Sequence, residues 1–212
     1  MENNPVGSRR PLQTRSRKWA QALAAWMART GFSPNGVSLL GLGFAALAVG
    51  SMLAGWWWVA AAGVQLRLLC NMLDGLIAVE HGKGDKLGGF FNEVPDRLED
   101  IALLLAAGVA ASGAIAGADW LTGERLGWAA AVLALGTAYL RQVGGAMGLV
   151  QDFSGPLAKP QRMFVLTVTS LVAGFCADAG TVVRLGLVVI VVGTAVTLVR
   201  RTVRLMSALQ RR

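Results

Sequence analysis

The sequence predicts an all-α integral membrane protein, with six transmembrane helices preceded by an amphipathic helix lying at the membrane interface. Three observations predict it. The 212-residue chain is 54% hydrophobic and only 15% charged, against about 25% charged for a soluble domain. Apolar runs of span length, about 20 residues, recur along it, and its mean hydropathy is +0.53. The basic residues between those runs alternate sides in the way that membrane topology demands. This composition argues against a soluble enzyme and a disordered tail. The formal charge of +8 would suggest a nucleic-acid partner in a soluble chain, but here it reads as orientation, so no nucleic acid is expected. Cys70 and Cys176 both lie in apolar runs, and no disulfide framework is implied.

The elements follow in order. Residues 1–12 form a basic segment. Over 13–31, Trp19, Leu23, Trp26, Met27 and Thr30 recur at helical spacing beside Arg15, Arg17, Lys18 and Arg29, as in a helix lying among anionic headgroups. A six-helix domain over 33–205 opens at Ser33-Pro34-Asn35-Gly36, a helix start with Pro in its first turn. Its apolar runs cover about 37–53, 56–79, 94–118, 126–150, 163–176 and 182–199. Residues 206–212 form a basic tail. No secretory signal is expected, because the first long apolar run begins only at Val37 and no small-residue cleavage site ends it. Ser8-Arg9-Arg10 resembles a twin-arginine signal, but no apolar core follows at the right distance.

With six spans, 16 of the 20 Lys and Arg residues fall on one side, namely those of the amino-terminal segment, the second and fourth links and the carboxyl tail. Arg67 and Arg141 lie inside spans near that side, and only Arg125 and Arg184 lie opposite. The positive-inside rule makes the basic side cytoplasmic. A multi-pass protein of the cytoplasmic (inner) membrane is expected, with both termini inside. Trp56, Trp57, Trp58, Trp120 and Trp128 cluster at the outer span ends as an aromatic belt would.

The acids carry the chemistry. Seven of the 12 lie between Asp74 and Asp100, and ionisable groups at a span end are costly and usually functional. Asn71 and Asp74 are three apart, and Asn92 and Asp96 four apart, so each pair shares one helical face. Two helices joined by a short link bring those faces together at the cytoplasmic surface. Four oxygen-bearing side chains suit Mg²⁺ or Mn²⁺ rather than zinc. Glu80, Asp85, Glu93 and the lone His81 read as solvated link residues.

Here the pattern becomes specific. Asn71-x-x-Asp74-Gly75-x-x-Ala78-Val79, then eight residues, then Gly88-x-x-x-Asn92-x-x-x-Asp96 resembles the D-x-x-D-G-x-x-A-R-x8-G-x-x-x-D-x-x-x-D motif of the CDP-alcohol phosphotransferase (phosphatidyltransferase) class I family. Spacing agrees throughout, while Asn71, Asn92 and Val79 depart from Asp, Asp and Arg. Ser33-Pro34-Asn35-x-x-Ser38 also resembles the family's T-P-N-x-x-T, and Arg141, Lys159 and Arg162 its later basic residues. The six spans and the interfacial helix fit the same family.

The resemblance implies a phosphotransferase of phospholipid biosynthesis. Such enzymes move a substituted phosphate from a CDP-alcohol, usually CDP-diacylglycerol, to an acceptor alcohol and release CMP. It implies two divalent cations, about 3.5–4 Å apart as in other two-metal sites, on Asn71, Asp74, Asn92 and Asp96, with Asp96 also taking the proton from the attacking hydroxyl. Gly75, Ala78 and Gly88 would make room for the nucleotide, and Arg67 would replace the missing Arg at position 79. Arg141, Lys159 and Arg162 would hold phosphates, leaning towards a phosphorylated acceptor. A homodimer is also implied.

The two Asn residues leave several outcomes open. The site holds one metal; or it holds two weakly with help from the diphosphate; or it recruits Glu93, Glu99 or Asp100; or the chain is a non-catalytic nucleotide-lipid-binding relative. Retention of Asp74 and Asp96 favours an active, divergent branch. A small transporter is the competing class, but its polar residues would sit at the midplane rather than at one edge.

Overall fold

The computed structural model describes residues 17–80 and 88–211. The basic segment 1–12 lies outside the described residues, as do Arg15, His81, Lys83, Asp85, Lys86, Arg212 and the side chains of Glu80 and Asn92. Among the described residues the chain forms helices α1 (Lys18–Arg29), α2 (Pro34–Leu53), α3 (Trp57–Glu80), α4 (Gly88–Ala110), α5 (Gly123–Ala146), α6 (Lys159–Ala173) and α7 (Ala179–Gln210). An antiparallel hairpin of β1 (Ala114–Ile115) and β2 (Ala118–Thr122) joins α4 to α5.

Local chemistry sets the helix starts. The Ser33 hydroxyl accepts from the Gly36 N–H at 3.0 Å, with Pro34 in the first turn, where its missing N–H costs nothing. Thr122 caps α5 through the Arg125 N–H, and Asp178 caps α7 through the Thr181 N–H. The Thr181 hydroxyl and N–H together hold the Asp178 carboxyl below the usual carboxylate range.

The third predicted span is corrected. Its apolar run continues to Ala118, but the helix ends at Ala110, because Gly113 and Gly117 take positive φ and fold the run into the hairpin. Arg184, reaching over from α7, donates to the Ala111 and Ser112 carbonyls and so satisfies the end of α4. The one predicted outer-side arginine inside a span is therefore a helix cap.

α2 packs on α3 and α4, α5 on α4 and α7, and α6 on α3 and α7. One apolar core fills the middle of the bundle around Val64, Leu103, Leu104, Leu166 and Ile190. A second joins α1 to α3 near the bundle end where α3 finishes. On α1 the buried stripe is Ala20, Ala24, Met27 and Ala28, while Trp19 and Trp26 stay exposed. Small residues let α1 lie close on α3 and leave its tryptophans for the surroundings. Three of the helices, α2, α3 and α7, are long and apolar enough to cross a membrane by length and composition among the described residues.

Where α4 meets α5, the backbones touch. A Cβ on Gly123 would lie 2.2 Å from the Ala111 carbonyl oxygen, and one on Gly127 would lie 2.9 Å from that of Leu104. Gly108 faces both from α4. This is small-residue packing of the kind used between membrane helices. Gly127→Ala is expected to destabilise the protein by about 1–3 kcal/mol through overpacking. Gly43→Ala, with open space around it, is the control and is expected to cost nothing. Thermal unfolding in one detergent checks both; equal melting temperatures would contradict the close contact.

Candidate active site

α3 and α4 present their polar faces to each other at the bundle end where α2 and α6 begin. On α3, Arg67, Asn71 and Asp74 follow at spacings of four and three, which aligns them on one face. Glu93, Asp96, Glu99 and Asp100 do the same on α4. Ser38, one turn into α2, donates its hydroxyl to Asp74 Oδ2 at 2.6 Å. Asp74 is buried there.

Asp96 is the hub. Its Oδ1 accepts from the Asn71 amide at 2.6 Å and from Arg67 Nη2 at 3.1 Å, and it pairs with the Lys159 ammonium. Its Oδ2 accepts from Arg97 Nη1 at 3.1 Å. Oδ1, with three partners, is the more crowded of the two oxygens.

Arg67 lies beneath this surface, fully buried. Its Nε donates to Glu99, and its Nη2 donates to Asp100 Oδ1 at 2.7 Å as well as to Asp96. Its Nη1 points at the Met163 sulfur of α6. The structure thus places Arg67 as the clamp between α3 and α4, its guanidinium shared by Asp96, Glu99 and Asp100. Arg162 is buried too, 3.4 Å from Asp100 Oδ2, with its other nitrogen on the Leu157 carbonyl and the Thr137 hydroxyl. Arg141 pairs with Glu93, donates to Gln151 at 3.0 Å and lies over the Phe153 ring.

Of the residues singled out from the sequence, the fold brings Asn71, Asp96 and Lys159 into direct contact. It sets Asp74 beside Ser38, and it puts Gly75 and Ala78 on the following turn, half-buried. Gly88 opens α4, and Asn92 lies one turn before Asp96. Arg97, Arg201, Arg204 and Asp152 carry no site role in the sequence, where the three arginines count only towards orientation. A legible signal existed for Arg67: it stands four residues before Asn71, while Glu99 and Asp100 stand three and four after Asp96.

Beside the acidic face lies a cavity of about 320 Å³ walled by Arg141, Asp152, Arg201 and Arg204, with Leu140 and Leu205 among its apolar lining. Arg201 is buried and donates to the Ser154 and Thr137 carbonyls, while its Nη2 takes no hydrogen bond among the described residues. Burial pushes the Asp152 carboxyl up, but the Ser154 hydroxyl and N–H, with Arg201 and Arg204, outweigh it and hold the group below the usual range. The cavity therefore carries three guanidiniums against one carboxylate.

Charge decides which metals these residues fit. Glu93, Asp96, Glu99 and Asp100 are paired in one network with Arg67, Arg97, Arg141, Lys159 and Arg162, five cations to four carboxylates. A divalent cation on Asp96 would raise an excess of positive charge in a largely buried site, where such charge is poorly screened. Among the described residues no three His, Cys, Asp or Glu side chains are grouped to hold an ion. The donor set does not fit a pair of divalent cations.

The fold has known counterparts. Mycobacterium tuberculosis phosphatidylinositol phosphate synthase with CDP-DAG bound superposes with a TM-score of 0.75 at 22% identity, over 89% of this chain and 94% of that one. The fold is shared with that synthase. Its complex with manganese and citrate gives a TM-score of 0.73 at 23% identity, over 88% of each chain. Its apo form gives 0.69 at 24% identity, over 85% of this chain and 93% of that one. No protein-family model matches the sequence, and no curated protein matches it.

Proposed function

We propose that the chain is a membrane-embedded CDP-alcohol phosphatidyltransferase, a divergent member of the CDP-alcohol phosphotransferase class I family. The observation that carries this reading is the motif on α3 and α4, with Asn71 and Asp96 hydrogen-bonded across the helix pair. The shared fold, seen in a synthase with CDP-DAG bound, supports it. CDP-diacylglycerol or another CDP-alcohol is the donor. Residues 33–205 form the enzyme domain, with six spans, both termini and the site on the cytoplasmic side of the inner membrane. The protein works as a homodimer.

In this reading the acceptor hydroxyl attacks the phosphorus bearing the diacylglycerol, the bond from that phosphorus to the CMP oxygen breaks, and CMP leaves. The hydroxyl proton passes to Asp96 at Oδ2, the oxygen with room for it. Arg67 holds the Asp96 carboxylate in place from below and contributes no direct contact with nucleotide. Gly75, Ala78 and Gly88 line the approach of the cytidine diphosphate. Asp74, with Asn71 and Asn92, would hold one divalent cation, Mg²⁺ or Mn²⁺, which when bound neutralises diphosphate charge. The manganese complex of the related fold supports a divalent cation.

The acceptor is an anionic alcohol. The cavity beside Glu93 offers Arg141, Arg201 and Arg204, and the buried, unsatisfied nitrogen of Arg201 suits a phosphate oxygen. Arg162, tied to Asp100, orients this wall; Lys159 faces the donor side. Protein in lipid nanodiscs supplied with CDP-diacylglycerol, Mn²⁺ and a panel of alcohols is expected to release CMP, fastest with a phosphorylated polyol. No CMP with any acceptor would sink the transferase reading. Faster release with neutral alcohols would sink only the anionic acceptor.

A further inference from the structure

The loop joining α5 to α6 brings a carboxylate to the arginines of the cavity. Asp152 Oδ1 accepts from the Ser154 N–H at 2.8 Å, which fixes the side chain in an Asx turn. Its Oδ2 lies 3.6 Å from Arg204 Nη1 and is buried without a hydrogen bond among the described residues. Ser154 adds two more oxygens. Its carbonyl accepts from Arg201 Nε at 2.9 Å, and its hydroxyl accepts from Arg204 Nη1. The loop thus turns three oxygens towards two guanidiniums of α7, as a phosphate group would. Arg141, the third cavity arginine, pairs with Glu93 instead, while the buried Arg201 keeps its Nη2 without a hydrogen bond among the described residues.

We propose that Asp152 is a built-in counter-anion of this cavity, standing on Arg201 and Arg204 where a phosphate monoester would bind and weakening its binding. The inference rests on the reading of the cavity as the acceptor's anion site. Guanidiniums partly withdrawn from water are weakly screened, so a nearby carboxylate holds them in place before a ligand arrives. That carboxylate is anchored by its turn and cannot leave. When an anion enters, Asp152 therefore faces it as a like charge, and part of the attraction of Arg201 and Arg204 is already spent. The same residue keeps the arginines ordered and the ligand exchangeable. Asp152 is in this sense an affinity-setting residue, and the Ser154 oxygens, which carry no net charge, orient the guanidiniums without that penalty.

The test is the affinity for inorganic phosphate, measured by calorimetry on the full-length protein in phosphatidylcholine nanodiscs. Asp152→Asn keeps an oxygen for the Ser154 N–H and removes only the charge. It is expected to bind phosphate about three- to tenfold more tightly than wild type. Loss of structure would lower affinity, so a gain reads the charge. In an Arg204→Met background the same substitution is expected to gain less than about twofold, because the cation that Asp152 faces is gone. Unchanged or weaker binding by D152N, or an undiminished gain in the R204M background, would overturn the inference. Should D152N fail to fold, Asp152→Ser, whose hydroxyl serves the same turn, carries the same expectation. Phosphatidic acid added to the discs offers the same monoester from the bilayer, and wild-type phosphate affinity is expected to stay as it was. Competition there would put a lipid headgroup in the cavity and remove the soluble acceptor, not the role of Asp152. Binding is measured without turnover, so absence of CMP release beside a D152N gain would remove the transferase reading and leave the counter-anion standing.

Discussion

Asp96→Asn is expected to lower CMP release by about 10²–10⁴-fold, the usual contribution of a positioned proton acceptor. The substitution keeps the size of the side chain and its hydrogen bond to the α3 face, but it removes the basic lone pair at Oδ2. In the proposed reading the nucleotide approaches along Gly75 and Ala78 rather than through Asp96 Oδ2, so the Kd for CDP-diacylglycerol is expected to change by no more than a few-fold. Both quantities are read on one nanodisc preparation, CMP by chromatography and binding by calorimetry. A parallel loss of binding and turnover would show Asp96 to be a binding group. Full activity would remove it from the chemistry altogether. A retained Kd with no turnover also separates an enzyme from a non-catalytic relative, since a binder has no turnover to lose.

Arg67→Met is expected to cost about 3–5 kcal/mol of stability, the scale for removing one partner of a buried ion pair. Glu99 and Asp100 are buried beside Arg67, and neither can reach water when the guanidinium is gone. Arg67→Lys is expected to recover only part, because an ammonium cannot span three carboxylates as the planar fork does. Arg97→Met, at the more exposed edge of the same network, is expected to cost less than about 1 kcal/mol. Unfolding in a common detergent, followed by helical signal, ranks the three. Should Arg67→Met melt with wild type while losing affinity for CDP-diacylglycerol, Arg67 would be a nucleotide ligand, the role its position before Asn71 suggests from sequence.

Much of the arrangement is legible from residue order. Helix starts at Ser33-Pro34 and before α5 follow from capping chemistry that acts within four residues. The facing of Asn71 and Asp96 follows from spacing within two helices on either side of a short link. The end of α4 was not legible: the run from Val94 to Ala118 is apolar throughout, and periodicity cannot register that Gly113 and Gly117 take positive φ. Nor could it register that Arg184 supplies the missing cap from 73 residues away. The face that α1 buries was not legible either. Trp19 and Trp26 are outward, but Met27 turns in with Ala20 and Ala24, because a helix that must lie close on α3 buries its smallest stripe.

The sequence by itself determined the helical class, the polar faces of α3 and α4, and the scarcity of acid in which Asp74 and Asp96 stand out. These depend on composition and on contacts within one or two turns. Only the tertiary structure decided which cations meet which carboxylates. Lys159 on Asp96, Arg162 on Asp100 and Arg201 at the cavity wall join residues separated by dozens of positions. No local rule encodes such pairs. They form because a charge taken into a largely apolar bundle must find its counter-ion among whatever helices pack beside it.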